Sequence, residues 1–281
     1  MWYDRLHMEA PDQPTPDQSA VDQPAPVEDR RETARLIKAV TVVYEDEDLI
    51  AFDKPTGMLI APDRWDKDRI SLMRVVHERW SPKYFNAHRI DRETSGTVLC
   101  AKNRKMLTAT CRLFEKGDIH KNYRALVRGA PADAEGLIVA RVVPDPVHPG
   151  RMRVGRPGKR AETRYQVLNA WRGFALLRCE PLTGRTHQIR VHLAYIGCPI
   201  IADRFYGNGR GLMLSEIKRH YRYAAGLERP LIGHLALHAE SLSFPHPADG
   251  RPVEITAPLP HSFELAVRYL DRFALPRQTA G

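Results

Sequence analysis

Cysteine is scarce in this sequence, and long apolar runs are missing from it. The 281 residues include 4 cysteines, which form no C-x-x-C pair. Three of them lie in apolar runs, so we predict reduced core thiols. No stretch approaches the ~18 consecutive apolar residues of a membrane span, and the N-terminus has no apolar secretion signal. These absences argue against a membrane or secreted protein and favour the reducing cytoplasm.

Acidic residues are outnumbered everywhere except at the start of the chain. Residues 1–32 carry 3 basic and 8 acidic residues, whereas the remainder carries 40 basic and 26 acidic, a net charge of +14. A body this basic attracts polyanions, and nucleic acid is the obvious candidate. The alternative is an enzyme whose positive charge is scattered over its surface.

Proline, glutamine and aspartate dominate the N-terminal segment. Such a composition buries too little apolar surface to offset the entropy of ordering. We therefore predict a disordered acidic, proline-rich extension over residues 1–38, followed by one folded domain over residues 39–275. The folded part is long enough to bury a large core.

Hydrophobic periodicity predicts more strands than helices in the folded part. The expected strands are 40–44, 49–54, 120–128, 137–143, 163–170, 174–181, 235–244 and 253–257. The expected helices are 70–80, 103–117 (capped by Asn103 and ended by Gly117), 186–197 and 263–273. Because strands and helices do not strictly alternate, we predict an α+β fold around a large mixed, mostly antiparallel sheet. Residues 144–159 are expected to form an exposed loop, and 207–230 to be an insertion.

One carboxylate stands in an unusual position, in a turn between two cations. Asp91 lies between Arg89 and Arg92 and is followed by the small turn residues of Thr94-Ser95-Gly96. Such a turn holds a side chain at a surface edge. An acid in a turn more often caps its own backbone, so this signal is weak by itself.

Three ordered motifs give the sequence a family resemblance. His88–Gly96 reads H-R-I-D-R-E-T-S-G, Lys121–Ala125 reads K-N-Y-R-A, and Gly184–His192 reads G-R-T-H-Q-I-R-V-H. They match the motifs H-R-[LI]-D-x-x-T-S-G, K-x-Y-x-A and G-R-[TS]-H-Q-[IL]-R-x-H of the RluA family of RNA pseudouridine synthases. Lys54–Gly57 and Leu237–Ala239 also resemble that family. The resemblance spans about residues 40–259.

The resemblance implies an RNA-modifying isomerase with a pseudouridine synthase catalytic domain over 39–275 and a central basic cleft. In that reaction the N1–C1′ bond of a uridine breaks, the uracil turns, and C5 joins C1′. Asp91 matches the catalytic acid, Arg190 the guanidinium that orients it, and Tyr123 the ring on which the uracil stacks. The reaction changes no oxidation state, so no cofactor and no metal are expected. Taken singly, Tyr123 would be an ordinary strand tyrosine, and Arg190 a solvated or salt-bridged side chain.

The expected partner is RNA, either ribosomal or transfer RNA, without an obligate protein partner, and the protein is predicted to be monomeric. Arg89 matches the residue that occupies the space left by an extruded nucleotide. Lys121, Arg185 and His187 are the other predicted RNA contacts, the last two near a helix N-terminus that suits phosphate. On a helix with about 100° per residue, His187 and His192 lie roughly 140° apart, which argues against a shared metal.

Two segments are candidate arms for choosing the target RNA, since the acidic extension is too short for a separate basic RNA-binding module. Residues 144–160 and 207–230 carry all eight candidate cations, which are Arg151, Arg153, Arg156, Lys159, Arg160, Lys218, Arg219 and Arg222. Phosphate neutralisation by such residues would make RNA binding salt-dependent.

Two other functions compete with the isomerase. A hydrolase of the same glycosidic bond would usually need two carboxylates, and Glu93 is the acid close to Asp91 in sequence. A binding protein on the same fold would need no catalytic acid. The intact set of Asp91, Tyr123 and Arg190 argues against a binding protein without catalytic activity.

Overall fold

The computed structural model describes residues 30–62, 69–221, 223 and 227–276. Its helices are α1 (Arg30–Ala39), α2 (Leu72–Arg79), α3 (Arg104–Lys116), α4 (Gln188–Tyr195), α5 (Leu214–Ile217) and α6 (His261–Phe273). Its strands are β1 (Thr41–Glu45), β2 (Leu49–Lys54), β3 (Phe85–Asn86), β4 (Ser95–Ala101), β5 (His120–Arg128), β6 (Glu135–Pro144), β7 (Met152–Val154), β8 (Lys159–Trp171), β9 (Phe174–Pro181), β10 (Leu237–Pro245) and β11 (Pro252–Thr256).

All the described strands belong to one sheet of 11 strands. Its main order is β1-β2-β4-β10-β5-β9-β8-β6-β7, while β11 pairs with β10 and β3 with β4. The β4–β10 pair is parallel and the other pairs are antiparallel. The predicted α+β fold with a mixed, mostly antiparallel sheet is confirmed.

Local sequence signals set the limits of α3. The Asn103 side chain accepts a hydrogen bond from Met106 N at 2.9 Å and so satisfies one of the free amides of the first turn. Gly117 ends the helix with φ 82°, in the left-handed region that a glycine adopts without a Cβ clash. The helix predicted over 103–117 is therefore confirmed at both ends.

The core lies on both faces of the central strands. Every residue of β4 is buried, and β2 and β10 beside it are largely buried as well. One cluster packs β5 and β9 against α4 and α6, and a second packs β2 and β4 against α2. The strands of the functional motifs are thus held from both sides, which gives the turns at their ends fixed positions.

Gly96 allows the close approach of two of these strands. Its φ is 110°, and a Cβ placed on it would collide with the backbone of Ala239 in β10. Only glycine fits such a conformation and such a contact. The glycine at the end of the first motif therefore brings β4 against β10.

Two regions differ from the sequence expectations. Residues 30–38 were assigned to the disordered extension but belong to α1, whose Leu36 and Ile37 pack on the second cluster; residues 1–29 lie outside the described part. The segment predicted as a loop contains β7, which pairs with β6. Residues 207–230, for which an insertion is predicted, include the short α5. Among the described residues no helix is long and apolar enough to cross a membrane.

Candidate active site

The register of the sheet brings Asp91 and Tyr123 to the same place. Asp91 lies in the turn between β3 and β4, closed by a hydrogen bond from Thr94 N to Asp91 O of 3.1 Å. In β10, Ala239 pairs with Gly96 of β4 on one side and with Tyr123 of β5 on the other. The start of β4 and the tyrosine therefore lie one strand apart, across Ala239.

Arg190 approaches the same place from α4, which follows β9. Its Nη1 lies 3.4 Å from Asp91 Oδ2, and its Nη2 lies 3.6 Å from Glu93 Oε2. The side chain is buried, with 2% exposed. Burial acts to lower the pKa of Arg190, but hydrogen bonds and charge from neighbouring carboxylates outweigh it, so this pKa is raised. The guanidinium is therefore a permanent cation beside Asp91.

Asp203, which the sequence did not single out, fixes Arg190. The guanidinium donates from Nε and Nη2 to the two carboxylate oxygens of Asp203, at 2.8 and 2.9 Å. Asp203 is fully buried and also accepts from the backbone N–H groups of Phe205 and Tyr206. A bidentate ion pair of this kind fixes both the position and the plane of a guanidinium group. Arg190 thus reaches Asp91 with its remaining nitrogen.

Tyr123 contributes a half-buried ring that packs against both of the large core clusters. Burial, followed by the charge of Asp91, raises the pKa of its hydroxyl. The phenol stays protonated at neutral pH, which suits a stacking surface and a hydrogen-bond donor better than a base.

His187, the residue that precedes α4, lies close to Asp91. Its Nε2 is 3.9 Å from Asp91 Oδ2, and its Nδ1 is 2.8 Å from the Tyr206 hydroxyl. The residue has φ 55°, in the left-handed region. Burial lowers the pKa of His187, and the charge of Asp91 opposes this only in part. The imidazole is therefore neutral at neutral pH.

His88, the first residue of the Asp91 motif, ties the turn to the sheet. Leu99 N donates to His88 Nε2 at 3.0 Å, and the ring lies 4.8 Å from the ring of Phe114. Burial lowers the pKa of His88 to about 3. Because Nε2 accepts a hydrogen bond, this histidine is neutral and its role is to hold the loop.

Lys54 stabilises the Asp91 turn through hydrogen bonds to backbone oxygens. Its side chain is fully buried, and Nζ donates to the backbone oxygens of Pro55, Met58 and Arg92 at 2.9, 2.9 and 3.0 Å. Burial lowers the pKa of Lys54 to about 7, while the charge of Asp91 favours the ammonium. Three acceptors match the three protons of an ammonium, so Nζ of Lys54 joins the Lys54–Gly57 turn to the Asp91 turn.

Replacing Lys54 with Met is expected to lower the free energy of unfolding by roughly 2–3 kcal/mol. The substitution keeps the volume of the side chain but leaves three backbone acceptors without their donor, and unpaired buried polar groups are costly. Urea unfolding followed by circular dichroism would measure the change. Lys105→Met, on the exposed face of α3, is the control and should change stability by under about 0.5 kcal/mol. Equal stability of the two variants would contradict the expected role.

All the predicted site residues line one cleft. Its volume is about 690 Å³, within the range of small-molecule sites. The lining includes Asp91, Tyr123 and Arg190, together with the four predicted RNA contacts, Arg89, Lys121, Arg185 and His187. Arg89 and Arg185 are exposed at its rim, whereas Lys121 is half-buried. Within the described ranges no group of three or more His, Cys, Asp or Glu side chains is arranged to hold a metal.

The sequence also matches a known protein family that has such a cleft. Residues 48–195 match the family model described as RNA pseudouridylate synthase. The chain belongs to the RNA pseudouridylate synthase family. Enzymes of this family are isomerases that act on uridines in RNA, so the family and the reaction class inferred from the motifs are confirmed.

Named relatives and solved structures agree with this assignment. The chain is 32% identical over 229 residues to the ribosomal large subunit pseudouridine synthase D of Xanthomonas campestris pv. campestris, covering 80% of this chain and 67% of the relative. It is 32% identical over 221 residues to the dual-specificity RNA pseudouridine synthase RluA of Escherichia coli K12, covering 78% of this chain and 93% of the relative. The solved structure of human RNA pseudouridylate synthase domain containing 1 has a TM-score of 0.64 at 25% identity, covering 87% of this chain and 91% of that one.

Proposed function

We propose that this chain isomerises specific uridines of ribosomal or transfer RNA to pseudouridine, with Asp91 as the catalytic carboxylate, Arg190 as its charge partner and Tyr123 as the stacking surface. The observation that carries the proposal is the 3.4 Å contact between Arg190 Nη1 and Asp91 Oδ2 in a cleft of about 690 Å³. A buried permanent cation beside Asp91 donates a charge-assisted hydrogen bond that orients the carboxylate towards a sugar or base bound in the cleft.

The two carboxylate oxygens of Asp91 have different contacts, which suggests different roles. Arg190 Nη1 and His187 Nε2 both face Oδ2, at 3.4 and 3.9 Å. Among the described residues no hydrogen bond to Oδ1 is found, whereas Oδ2 accepts from Arg190. A nucleoside entering the cleft would therefore meet Oδ1, while Oδ2 keeps the carboxylate in place.

The remaining residues fit the later steps of the reaction. After the N1–C1′ bond breaks, the uracil must be held without a covalent bond while it turns, and a tyrosine face does this by stacking. C5 then bonds to C1′ and loses its proton, while N1 gains one, so that the product is an isomer of the substrate. The protonated Tyr123 hydroxyl can donate a hydrogen bond to the turning base.

The names of the relatives support two classes of RNA target. One relative is named for the large ribosomal subunit and another for dual specificity. The exposed cations Arg89 and Arg185 at the rim of the cleft are suited to phosphates on either RNA. We further propose that the protein acts as a monomer in the cytoplasm; all four cysteines lie in the described part of the chain and no disulfide joins them, which agrees with a reducing compartment.

Mapping of pseudouridine tests the proposal directly. Ribosomal and transfer RNA from cells that lack the protein would be incubated with the purified chain, and pseudouridine located by carbodiimide-blocked reverse transcription. New stops at defined uridines are expected. Release of free uracil would instead support the hydrolase, and RNA binding without new stops would support a binding protein; either result would overturn the proposal.

The candidate arm around β7 gives a prediction about salt dependence. Because β7 pairs with β6, deletion would disturb the sheet, whereas Arg153→Ser with Lys159→Ser removes two exposed cations and keeps the backbone. We expect weaker RNA binding and a fall of about 2 in the slope of log affinity against log salt concentration, one for each lost phosphate contact. Filter binding at several salt concentrations would measure both.

A matched pair of cations provides the control for the arm. Arg268 and Arg272 are exposed on α6, and none of the residues that line the cleft belongs to that helix. Arg268→Ser with Arg272→Ser changes the net charge equally and should leave the slope nearly unchanged. If both double variants shift the slope equally, the arm has no specific part in binding. Arg222, another predicted arm cation, lies outside the described residues.

A further inference from the structure

Tyr206 links the catalytic cleft to the arm around β7. Its hydroxyl accepts a hydrogen bond from Met152 N in β7 at 2.8 Å and lies 2.8 Å from His187 Nδ1. Its ring lies under the guanidinium groups of Arg190 and Arg151, at 5.3 and 5.4 Å from the ring centre. One half-buried tyrosine therefore contacts the arm around β7, Arg190 and His187.

The hydrogen bonds of this hydroxyl fix where the protons lie. A backbone N–H can only donate, so the phenolic oxygen accepts from Met152. The hydroxyl has one proton to give, and among its described contacts His187 Nδ1 is the acceptor available for it. A neutral imidazole that accepts at Nδ1 carries its proton on Nε2, the nitrogen that lies 3.9 Å from Asp91 Oδ2.

We propose that Tyr206 is a positioning residue that holds His187 as the neutral tautomer with its Nε2–H directed at Asp91. The inference rests on the proposed role of Asp91 as the catalytic carboxylate. His187 then presents a donor to Oδ2 without adding a second positive charge next to Arg190. The burial that keeps the imidazole neutral and the hydroxyl that selects its tautomer act together.

The rings around His187 support a fixed orientation. Phe205 stacks on the imidazole, with ring centres 5.6 Å apart and planes at 28°. The Tyr206 ring meets it edge-on, with centres 5.7 Å apart and planes at 77°. Phe205 and Tyr206 also donate their backbone N–H groups to Asp203 Oδ1, the residue that fixes Arg190. One short segment, Asp203–Tyr206, therefore orients both groups that face Asp91 Oδ2.

Long-range proton–nitrogen spectra of histidine-labelled protein test the proposal without reference to activity. His187, identified by the signal that is lost in His187→Gln, is expected to show an unprotonated Nδ1 and a protonated Nε2. In Tyr206→Phe the ring and its contacts with the two guanidinium groups are kept, but the Nδ1 partner is gone. We expect the Nδ1 signal to move towards that of an unbonded nitrogen and the tautomers to mix, and uridine conversion to fall by about 10- to 100-fold, since misplaced groups cost up to about 10²-fold.

Tyr195→Phe is the control, because Tyr195 is the last residue of α4, the helix that follows His187, and is 62% exposed. It should change neither the His187 signals nor the conversion rate. A protonated Nδ1 in the wild-type protein would overturn the proposal, even if Tyr206→Phe failed to fold. So would a Tyr206→Phe protein that loses activity with an unchanged His187 spectrum. If the wild-type protein converts no uridine, the proposed function fails, and the spectrum still reports the tautomer.

Discussion

Replacing Asp91 with Asn is expected to reduce conversion of uridine to pseudouridine by at least about 10⁴-fold, a loss of the size seen when a reacting carboxylate or nucleophile is removed. The asparagine has nearly the same shape, but it carries no charge and cannot attack or take up a proton. Single-turnover conversion with excess enzyme would measure the loss, because it does not depend on the release of product.

RNA affinity should survive the same substitution. The change removes a negative charge from a basic cleft, so binding of phosphates should be unchanged or slightly tighter. The fold should also survive, since Arg190 keeps its two short hydrogen bonds to the buried Asp203. Glu93→Gln is the matched control, because Glu93 Oε2 lies 3.6 Å from the same guanidinium. An Asp91→Asn protein that keeps a tenth or more of the activity, or a Glu93→Gln protein with the larger loss, would exclude the proposed catalytic role.

Much of the fold could be predicted because its elements have local causes. The limits of α3 follow from an asparagine cap and a terminal glycine, β5 contains the apolar run Ala125-Leu126-Val127, and β9 alternates with period two over most of its length. The exceptions depend on tertiary contacts. In β7 three residues are ordered by pairing with β6, and α1 is stabilised by packing its Leu36 and Ile37 on a core formed mostly by distant residues. The three residues of β7 are too few to show a period, and α1 is amphipathic but has too few apolar residues to be stable as a helix without that packing.

The residues of the candidate site also include some that the sequence predicts and some that depend on tertiary contacts. The motifs indicate Asp91, Tyr123 and Arg190. The register of β10 explains why the Asp91 turn lies near Tyr123, and Arg190 reaches Asp91 from α4. Asp203 and Tyr206 were missed because their roles depend on a loop that folds back over α4. One signal was available: Asp203 directly follows the apolar Ile200-Ile201-Ala202, and an acid entering the core in this way needs a buried cation. Which cation it pairs with could not be predicted, since several arginines lie within reach along the chain.

Replacing Asp203 with Ala is expected to lower the free energy of unfolding by about 3–5 kcal/mol, because it leaves the guanidinium of Arg190 buried without its main partner. It also removes the acceptor of the Phe205 and Tyr206 amides. Activity should fall strongly too, since Arg190 is no longer held against Asp91. Urea unfolding and single-turnover assays would measure the two effects. Asp118→Ala, at an exposed position after α3, is the control and should change stability by under about 0.5 kcal/mol.

A double substitution separates the effect of the Arg190–Asp203 pair on stability from its effect on activity. Arg190→Met with Asp203→Leu replaces a buried ion pair by apolar side chains of similar volume, a change that is often neutral for stability. We expect the double variant to recover part of the stability lost in Asp203→Ala, since the amides of Phe205 and Tyr206 still lack their acceptor. It should recover none of the activity, because Asp91 still lacks its cation. Recovery of both would mean that the pair serves only the fold. Recovery of stability alone would show that a costly buried pair is kept because Arg190 must remain charged and fixed beside Asp91.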